Sequence, residues 1–299
     1  MAEPTCSAVS LACGEPLRAT ASVVRNWVLV EHPGAWGPAA LTDSGLPAHV
    51  AQGLAAAARR HRFRVLLVRR PVRPADGSRQ CFVVHSGRRR RWVEERVLAD
   101  VAELLDVDFS PLRGGEPVGF GSRREAPLYL VCTNGRHDPC CANLGRPVAR
   151  ALQARGDGAV WESSHFGGDR FAGNLVCLPH GLYYGRLLPA DAVRVVAAYE
   201  RGEVSLDHYR GRAGEPFAAQ AAEHFLRERE ALSGIDDLVV DAVARTAGGL
   251  VEVRFSGPGR RSWVVRVAIA AAADARPLSC GAEAEGRPPT YALVDVNGA

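Results

Sequence analysis

One order of predicted elements, strand–helix–strand–strand–helix, occurs twice along this chain and limits its possible folds more than any other feature. In the first half, apolar runs and helical spacing predict strands at 27–31, 63–68 and 80–85 and helices at 47–60 and 92–105. In the second half, the patterns predict strands at 127–132, 158–162 and 173–178, a further run at 182–186, and helices at 141–155 and 189–201. The alternation predicts an α/β (α+β) fold class.

The repeated order resembles the core of thioredoxin-like proteins, so we expect two tandem thioredoxin-like β-α-β-β-α domains. Residues 1–22 have no periodic pattern and are predicted to be irregular, and the Gly-rich stretch 113–121 is predicted to be a linker. After the second repeat, a helix at 216–232 and strands at 238–244, 250–255, 262–269 and 291–296 predict a small C-terminal β-rich appendage. The predicted domains are therefore 1–115, 122–205 and 206–299.

The composition is that of an ordinary globular protein, with 299 residues, 47% of them hydrophobic and 23% charged. No run approaches the roughly 20 apolar residues that cross a bilayer. The N-terminus lacks a basic segment followed by a long apolar run, so we expect a cytoplasmic protein with no membrane partner. The basic run 87–91 is followed at once by Glu94 and Glu95. This favours a solvated hairpin end over a phosphate site, and we expect no nucleic-acid partner.

Three of the eight cysteines, Cys132, Cys140 and Cys141, cluster around the turn 135–139. In a reducing compartment, clustered thiols point to metal or redox chemistry. Cys132 is predicted at the end of a strand and Cys141 at the start of a helix, where free N–H groups favour a thiolate. Because Cys140 and Cys141 are adjacent, we expect one of the two to lie outside the ligand set. The dispersed cysteines are predicted to pack as small hydrophobic side chains; they are Cys6, Cys13, Cys81, Cys177 and Cys280.

Two further candidate ligands, His165 and Asp169, lie in a Gly-rich loop between two predicted strands. Gly167 and Gly168 let the backbone pass close to a bulky cofactor and present N–H groups to sulfide or another anion. Soft sulfur donors combined with an imidazole suit an iron–sulfur cluster or zinc. A C-x2-C motif is absent from the sequence, which argues against a structural zinc ribbon and against dithiol exchange of the thioredoxin type.

Three sequence blocks carry a resemblance to a known family. They are Cys132-Thr-Asn-Gly-Arg-His-Asp-Pro-Cys-Cys-Ala142, Trp161-Glu-Ser-Ser-His-Phe-Gly-Gly-Asp-Arg-Phe-Ala-Gly-Asn174 and Leu178-Pro-His-Gly-Leu-Tyr-Tyr-Gly-Arg186. With further matches at 6–7, 14–17 and 31–37, the resemblance covers most of the chain. The chain resembles the sucrase/ferredoxin-like family, a branch of the thioredoxin-like 2Fe–2S ferredoxins.

The resemblance implies a 2Fe–2S cluster that is held by two pairs of ligands. By position, the first pair falls on Cys132 and Cys141, and the second falls on His165 and Asp169. Members studied as cluster proteins have H-x3-H at the second pair, so Asp169 departs from the pattern with a harder ligand for iron. Either the cluster is labile, altered or absent, or a fourth ligand completes it; the candidates are Asp169 itself, Cys140 and His137.

The flanking arginines, Arg136 and Arg170, are expected either to hold an anionic cluster by charge or to pair with Asp138 and Asp169. The resemblance implies a one-electron carrier that works with redox partner proteins. Imidazole ligation would raise its reduction potential and couple it to protonation. Paired carboxylates in a sugar-cleaving context are not evident, so we do not expect a hydrolase. Two alternatives remain: a mononuclear zinc or iron site with the same four ligands, and a cluster-free thioredoxin-like scaffold that binds a protein partner.

Overall fold

The computed structural model of the protein describes residues 3–70, 77–156 and 158–298. Its helices in these ranges are α1 (Cys6–Ala12), α2 (Ala40–Asp43), α3 (Ala48–His61), α4 (Pro139–Gln153), α5 (Pro189–Glu200) and α6 (Phe217–Glu230). Its strands in the first half are β1 (Asn26–Glu31), β2 (Arg64–Arg69), β3 (Arg79–Ser86), β4 (Arg91–Leu98) and β5 (Ser122–Arg123). The second half contributes β6 (Leu128–Cys132), β7 (Val160–Ser163), β8 (Leu175–Leu178), β9 (Leu182–Tyr184) and β10 (Tyr209–Arg212), and the C-terminal part β11 (Val239–Arg245), β12 (Val251–Ser256), β13 (Ser262–Ala271) and β14 (Pro289–Gly298).

A mixed sheet, with ten strands among the described residues, runs through both halves in the order β10-β9-β8-β6-β7-β2-β1-β3-β4-β5. In the first half, β1 pairs parallel with β2 and antiparallel with β3. In the second half, β6 pairs parallel with β7 and antiparallel with β8. The halves join where β2 and β7 pair antiparallel, with Val68 opposite Ser163. The predicted α+β class is confirmed. The sheet runs through both halves without a break, and the predicted domain boundaries stay predictions.

The helix predicted at 92–105 is wrong. Its first half is strand β4, which pairs with β3 from Arg91 opposite Ser86 to Leu98 opposite Arg79. Asp100 and Glu103 then form a capping box that starts a short 3-10 helix, Val101–Asp106. Hairpin pairing along eight residues overrides the local spacing, since strand preference depends on the partner strand more than on the segment itself.

Two other predictions also need correction. Residues 1–22 are not wholly irregular, because Thr5 caps the seven-residue helix α1 by accepting from the backbone N–H of Ala8. The 113–121 segment is anchored instead of acting as a free linker, since the buried Glu94 carboxylate accepts from the backbone N–H groups of Val118, Gly119 and Phe120 at 3.2 Å each. Helix α1 also packs against the turn Asp169–Phe171, and Glu94 lies 24 to 26 positions before its partners, so a local pattern reveals neither contact.

The C-terminal part has its own core. Strands β11 to β14 form an antiparallel sheet, and α6 packs on it through Ala219, Ala222 and Leu226. This arrangement confirms the predicted helix followed by a β-rich appendage. Within the described ranges, none of the helices combines the length and the apolar character needed to cross a lipid bilayer.

Candidate metal centre

The ligand atoms of Cys132, Cys141 and His165 lie within 4.8 Å of one another. Cys132 ends β6, Cys141 lies in the first turn of α4, and His165 follows β7. The Sγ atoms of Cys132 and Cys141 are 3.9 and 3.8 Å from Nδ1 of His165. The parallel strands β6 and β7 carry their carboxyl ends at the same edge of the sheet, so the loops that follow them meet there. The fold therefore brings together three soft donors that could hold a metal ion.

Asp169 and His137, two predicted candidates for a fourth ligand, both lie beside these donors. Oδ1 of Asp169 is 2.8 Å from Nδ1 of His165 and accepts from the Cys141 thiol at 3.3 Å. The ring of His137 stacks on that of His165 with centroids 3.8 Å apart, and its Nε2 is 3.7 Å from Oδ2 of Asp169. Nδ1 of His137 lies 3.1 Å from the carbonyl oxygen of Pro38. Because a carbonyl oxygen only accepts, that hydrogen bond assigns the proton to Nδ1. Nε2 then keeps the lone pair with which His137 could bind a metal ion.

The start of α4 holds Cys141 in place through a side-chain cap. Oδ1 of Asp138 accepts from the backbone N–H of Cys140 at 2.8 Å, and Pro139 occupies the first helical position, where no N–H is needed. The helix also lies unusually close to the end of β6. A Cβ added at Gly145 would stand 2.0 Å from the carbonyl oxygen of Cys132, so only glycine permits this approach.

The loop 165–169 turns back on itself through two glycines in the left-handed region. Gly167 and Gly168 have φ of +108° and +88°, a conformation that side-chain-bearing residues rarely adopt. A Cβ on Gly168 would also overlap the buried guanidinium of Arg210, which donates to the carbonyl oxygen of Gly167 at 3.0 Å. In the structure these glycines shape the loop so that His165 and Asp169 face each other; their predicted contact with a cofactor stays a prediction.

Mutual hydrogen bonding sets the protonation of the group. A hydrogen bond from the Cys141 thiol, helped by His165 and opposed by burial, lowers the pKa of Cys132 to about 5. The same contact, together with burial, raises the pKa of Cys141 well above its ordinary value. Burial opposes charge on His165, but Asp169 and Cys132 outweigh it and raise the pKa of His165 to about 9. Burial also opposes charge on Asp169, yet the hydrogen bond from His165 lowers its pKa. These contacts therefore favour the thiolate form of Cys132, the form that binds metals.

The remaining predicted site residues lie elsewhere. Sγ of Cys140 belongs to a different group of thiols, described below, although Cys140 is next to Cys141 in sequence. Arg170 pairs with Glu15 at 2.9 Å, which replaces the expected pairing with Asp169. Arg136 is exposed and lines a surface cleft with Trp36 and Arg69, and Asp138 accepts from backbone N–H groups in place of pairing with Arg136.

Two cysteines that the sequence predicts to be packing residues also lie together. Cys6 packs in an apolar cluster with Cys140 and Ala172, as predicted, whereas Cys280 is exposed. Cys6 and Cys280 approach each other and Cys140, with Asp138 beside them. Cys6 and Cys280 are 274 positions apart in the chain. No spacing motif spans such a distance, so local sequence patterns hold no signal that could have joined them. The described residues thus contain three groups of Cys, His and Asp side chains that could hold a metal ion, two of which share His165.

Comparison with known proteins supports the family resemblance that the sequence blocks around these residues carry. No curated protein and no solved structure matches the chain. Residues 17–211 match the sucrase/ferredoxin-like family, and this segment contains β6, α4 and the loop that carries His165. The match covers about two thirds of the chain, and the chain therefore belongs to the sucrase/ferredoxin-like family.

Proposed function

We propose that this protein binds a 2Fe–2S cluster through Cys132, Cys141, His165 and Asp169 and carries single electrons between redox partner proteins. The observation that carries the proposal is the convergence of two cysteine sulfurs and the His165 imidazole within 4.8 Å. The family description, which includes ferredoxin, agrees with it.

The donor set suits such a cluster in type and in arrangement. A thiol pair comes from the β6–α4 side, and an imidazole with a carboxylate comes from the facing loop, so each iron of a binuclear cluster would find its own pair. A bound 2Fe–2S cluster supplies reversible one-electron chemistry, with a potential that imidazole ligation raises above that of an all-thiolate site. The carboxylate of Asp169 adds negative charge and works against that rise.

Burial of the donors indicates where an electron would leave. Cys132 and Cys141 are 1% and 0% exposed, whereas the side chains of His165 and His137 are 19% and 34% exposed. The stacked histidines are therefore the solvent side of the group. A redox partner that docks over them would come closest to the cluster, and Arg136, exposed in the adjoining cleft, favours a partner with an acidic surface.

The test is direct. Protein purified without oxygen should be coloured, give an EPR signal on reduction, and contain about two iron and two acid-labile sulfide per chain. Replacing Cys132, Cys141 or His165 singly should remove the colour. Cys177→Ala is the matched control, because Cys177 is a fully buried thiol of the β8 core outside the group. A colourless protein without iron or sulfide after anaerobic purification would refute the proposal.

A mononuclear zinc or iron site is a second candidate, favoured by the compactness of the group. A single tetrahedral ion places sulfur and nitrogen ligands roughly 3.6 Å apart, close to the 3.8 and 3.9 Å between His165 and the two sulfurs. Metal analysis separates the two functions. About one zinc or iron ion per chain that is lost in Cys132→Ser, with no acid-labile sulfide, supports the mononuclear site, and equal amounts of iron and sulfide support the cluster.

A further inference from the structure

The second group of thiols forms a nearly equilateral triangle of sulfur atoms. Sγ of Cys6 and Sγ of Cys140 are 3.7 Å apart, and Sγ of Cys280 lies 3.5 Å from each of them. Oδ2 of Asp138 is 3.6 Å from Sγ of Cys6, and all four ligand atoms lie within 4.8 Å of one another. We propose that this group is a structural zinc site, distinct from the one that contains Cys132.

The spacing fits a tetrahedral ion. With Zn–S bonds of about 2.3 Å, sulfur ligands stand about 3.8 Å apart, and a carboxylate oxygen stands about 3.5 Å from each sulfur. The observed distances between the sulfurs, 3.5 to 3.7 Å, need only small side-chain shifts to meet this geometry. Disulfide bonding would require about 2.05 Å and would leave one of the three sulfurs unpaired.

Hydrogen-bond donors reach two of the sulfurs. Burial and the Asp138 carboxylate raise the pKa values of Cys6 and Cys280, so zinc has to displace the protons that these thiols hold without it. The hydroxyl of Ser7 donates to Sγ of Cys140 at 3.1 Å, and the backbone N–H of Cys6 donates to Sγ of Cys280 at 3.4 Å. Cys140 and the capping residue Asp138 stand at the N-terminus of the 15-residue helix α4, where the helix dipole favours anions. The backbone N–H of Cys280 donates to Oδ2 of Asp138 at 2.7 Å, which orients the carboxylate toward the sulfurs.

The donor set also selects the ion and its role. Three sulfurs exclude magnesium and calcium, which take oxygen ligands. Three thiolates with one carboxylate complete a tetrahedron and leave no open position, as in structural zinc sites. Zinc would displace the thiol protons into solvent and tie α1, the start of α4 and the β13–β14 connection together. Cys6 and Cys280 both lie outside the family segment 17–211, so the ion would fasten both flanks of the chain to the family core.

The experiment removes the first centre before it examines the second. In full-length protein carrying Cys132→Ser and His165→Ala, we expect about one zinc ion per chain after gel filtration. Cobalt(II) in its place should give the intense visible bands of a tetrahedral thiolate site. Adding Cys280→Ser or Cys6→Ser should weaken the affinity for zinc at least about tenfold, measured by competition with a chelator, since loss of even an indirect metal partner weakens binding that much.

Cys13→Ser is the matched control, because Cys13 is an exposed thiol outside the group. Its sulfur accepts from the guanidinium of Arg276 and does not join the other three sulfurs. This variant should keep the zinc. Should Cys6→Ser fail to fold, Cys280→Ser still decides, because Cys280 is exposed. The proposal is overturned if the background protein takes up neither zinc nor cobalt, if the metal survives both substitutions, or if mass spectrometry of anaerobic protein finds two of these cysteines in a disulfide.

Discussion

Gly145 offers a sharp test of how the fold assembles the Cys132 centre, because it lies in α4 directly against the end of β6. In Gly145→Ala the new Cβ would stand 2.0 Å from the carbonyl oxygen of Cys132. A comfortable carbon–oxygen contact is about 3.3 Å or more. Since the clash is with backbone and not with a flexible side chain, strand and helix must separate by about 1 Å, and Cys132 and Cys141 must separate with them.

The expected magnitude combines two opposing effects. Alanine in place of a helical glycine favours the helix by up to about 1 kcal/mol. Overpacking that the backbone must absorb costs about 1–3 kcal/mol, and occasionally more. Because no rotamer change can relieve this clash, we expect the upper end and a net loss of about 2 kcal/mol. A 1 Å separation is nearly half the length of a metal–sulfur bond of about 2.3 Å, so metal content should fall as well.

Urea denaturation and metal analysis measure the two effects, with Gly53→Ala as the matched control. Gly53 is also helical, but its added Cβ would meet only the end of the Leu105 side chain, which is exposed and free to move. We expect Gly53→Ala to be neutral or stabilising, with normal metal content. If Gly145→Ala were as stable as this control and bound metal equally well, close packing of α4 on β6 would not be what builds the centre.

Three other perturbations test the fourth ligand, the buried histidines and the charged residues under the second sheet. Asp169→Ala should lose the visible absorption of the cluster, whereas Asp169→His should keep the cluster and raise its reduction potential. An unchanged spectrum in Asp169→Ala would contradict ligation by Asp169. Burial, aided by neighbouring arginines, lowers the pKa values of His85 and His180 to about 4, whereas the unfolded chain takes up these protons near pH 6.5. Stability should therefore be full above about pH 6.5 and fall toward pH 4, by at most about 3 kcal/mol for each histidine, and His180→Gln should flatten the plot of denaturation midpoint against pH. Arg227→Leu should cost about 3 kcal/mol in urea denaturation, because it takes a 3.0 Å partner from buried Glu223; a midpoint equal to that of the exposed Arg229→Leu would rule this out.

How far sequence patterns predict this fold depends on how local the determining contacts are. Periodicity predicts α4, α5 and α6 to within about two residues of their bounds. It fails at 92–105, where pairing with β3 decides the structure, and at α1, which is too short to show a period. Seven helical residues hold their shape through packing against the Asp169–Phe171 turn, which no window around residue 6 contains.

The candidate centre follows the same rule. Cys132, Cys141, His165 and Asp169 are predicted together because their motifs lie on two neighbouring loops of a familiar strand order. The contribution of His137 as a stacked neighbour depends on the Pro38 carbonyl, about a hundred residues earlier in the chain. The grouping of Cys6 with Cys280 depends on the docking of the C-terminal sheet, so it follows only from the complete fold.

The adjacent pair Cys140 and Cys141 shows why sequence adjacency misleads here. Successive side chains of an α-helix point about 100° apart, so two neighbouring cysteines at a helix start face different sides. Cys141 faces His165, and Cys140 faces Cys6 and Cys280. In each group, only one of the two adjacent sulfurs lies with the other candidate ligands. Asp138 couples the groups, because Oδ1 caps the helix that presents Cys141 while Oδ2 lies among the other sulfurs. An ion held by Cys6, Cys140 and Cys280 would thus fix the capping carboxylate, and with it the helix end on which the redox centre is built.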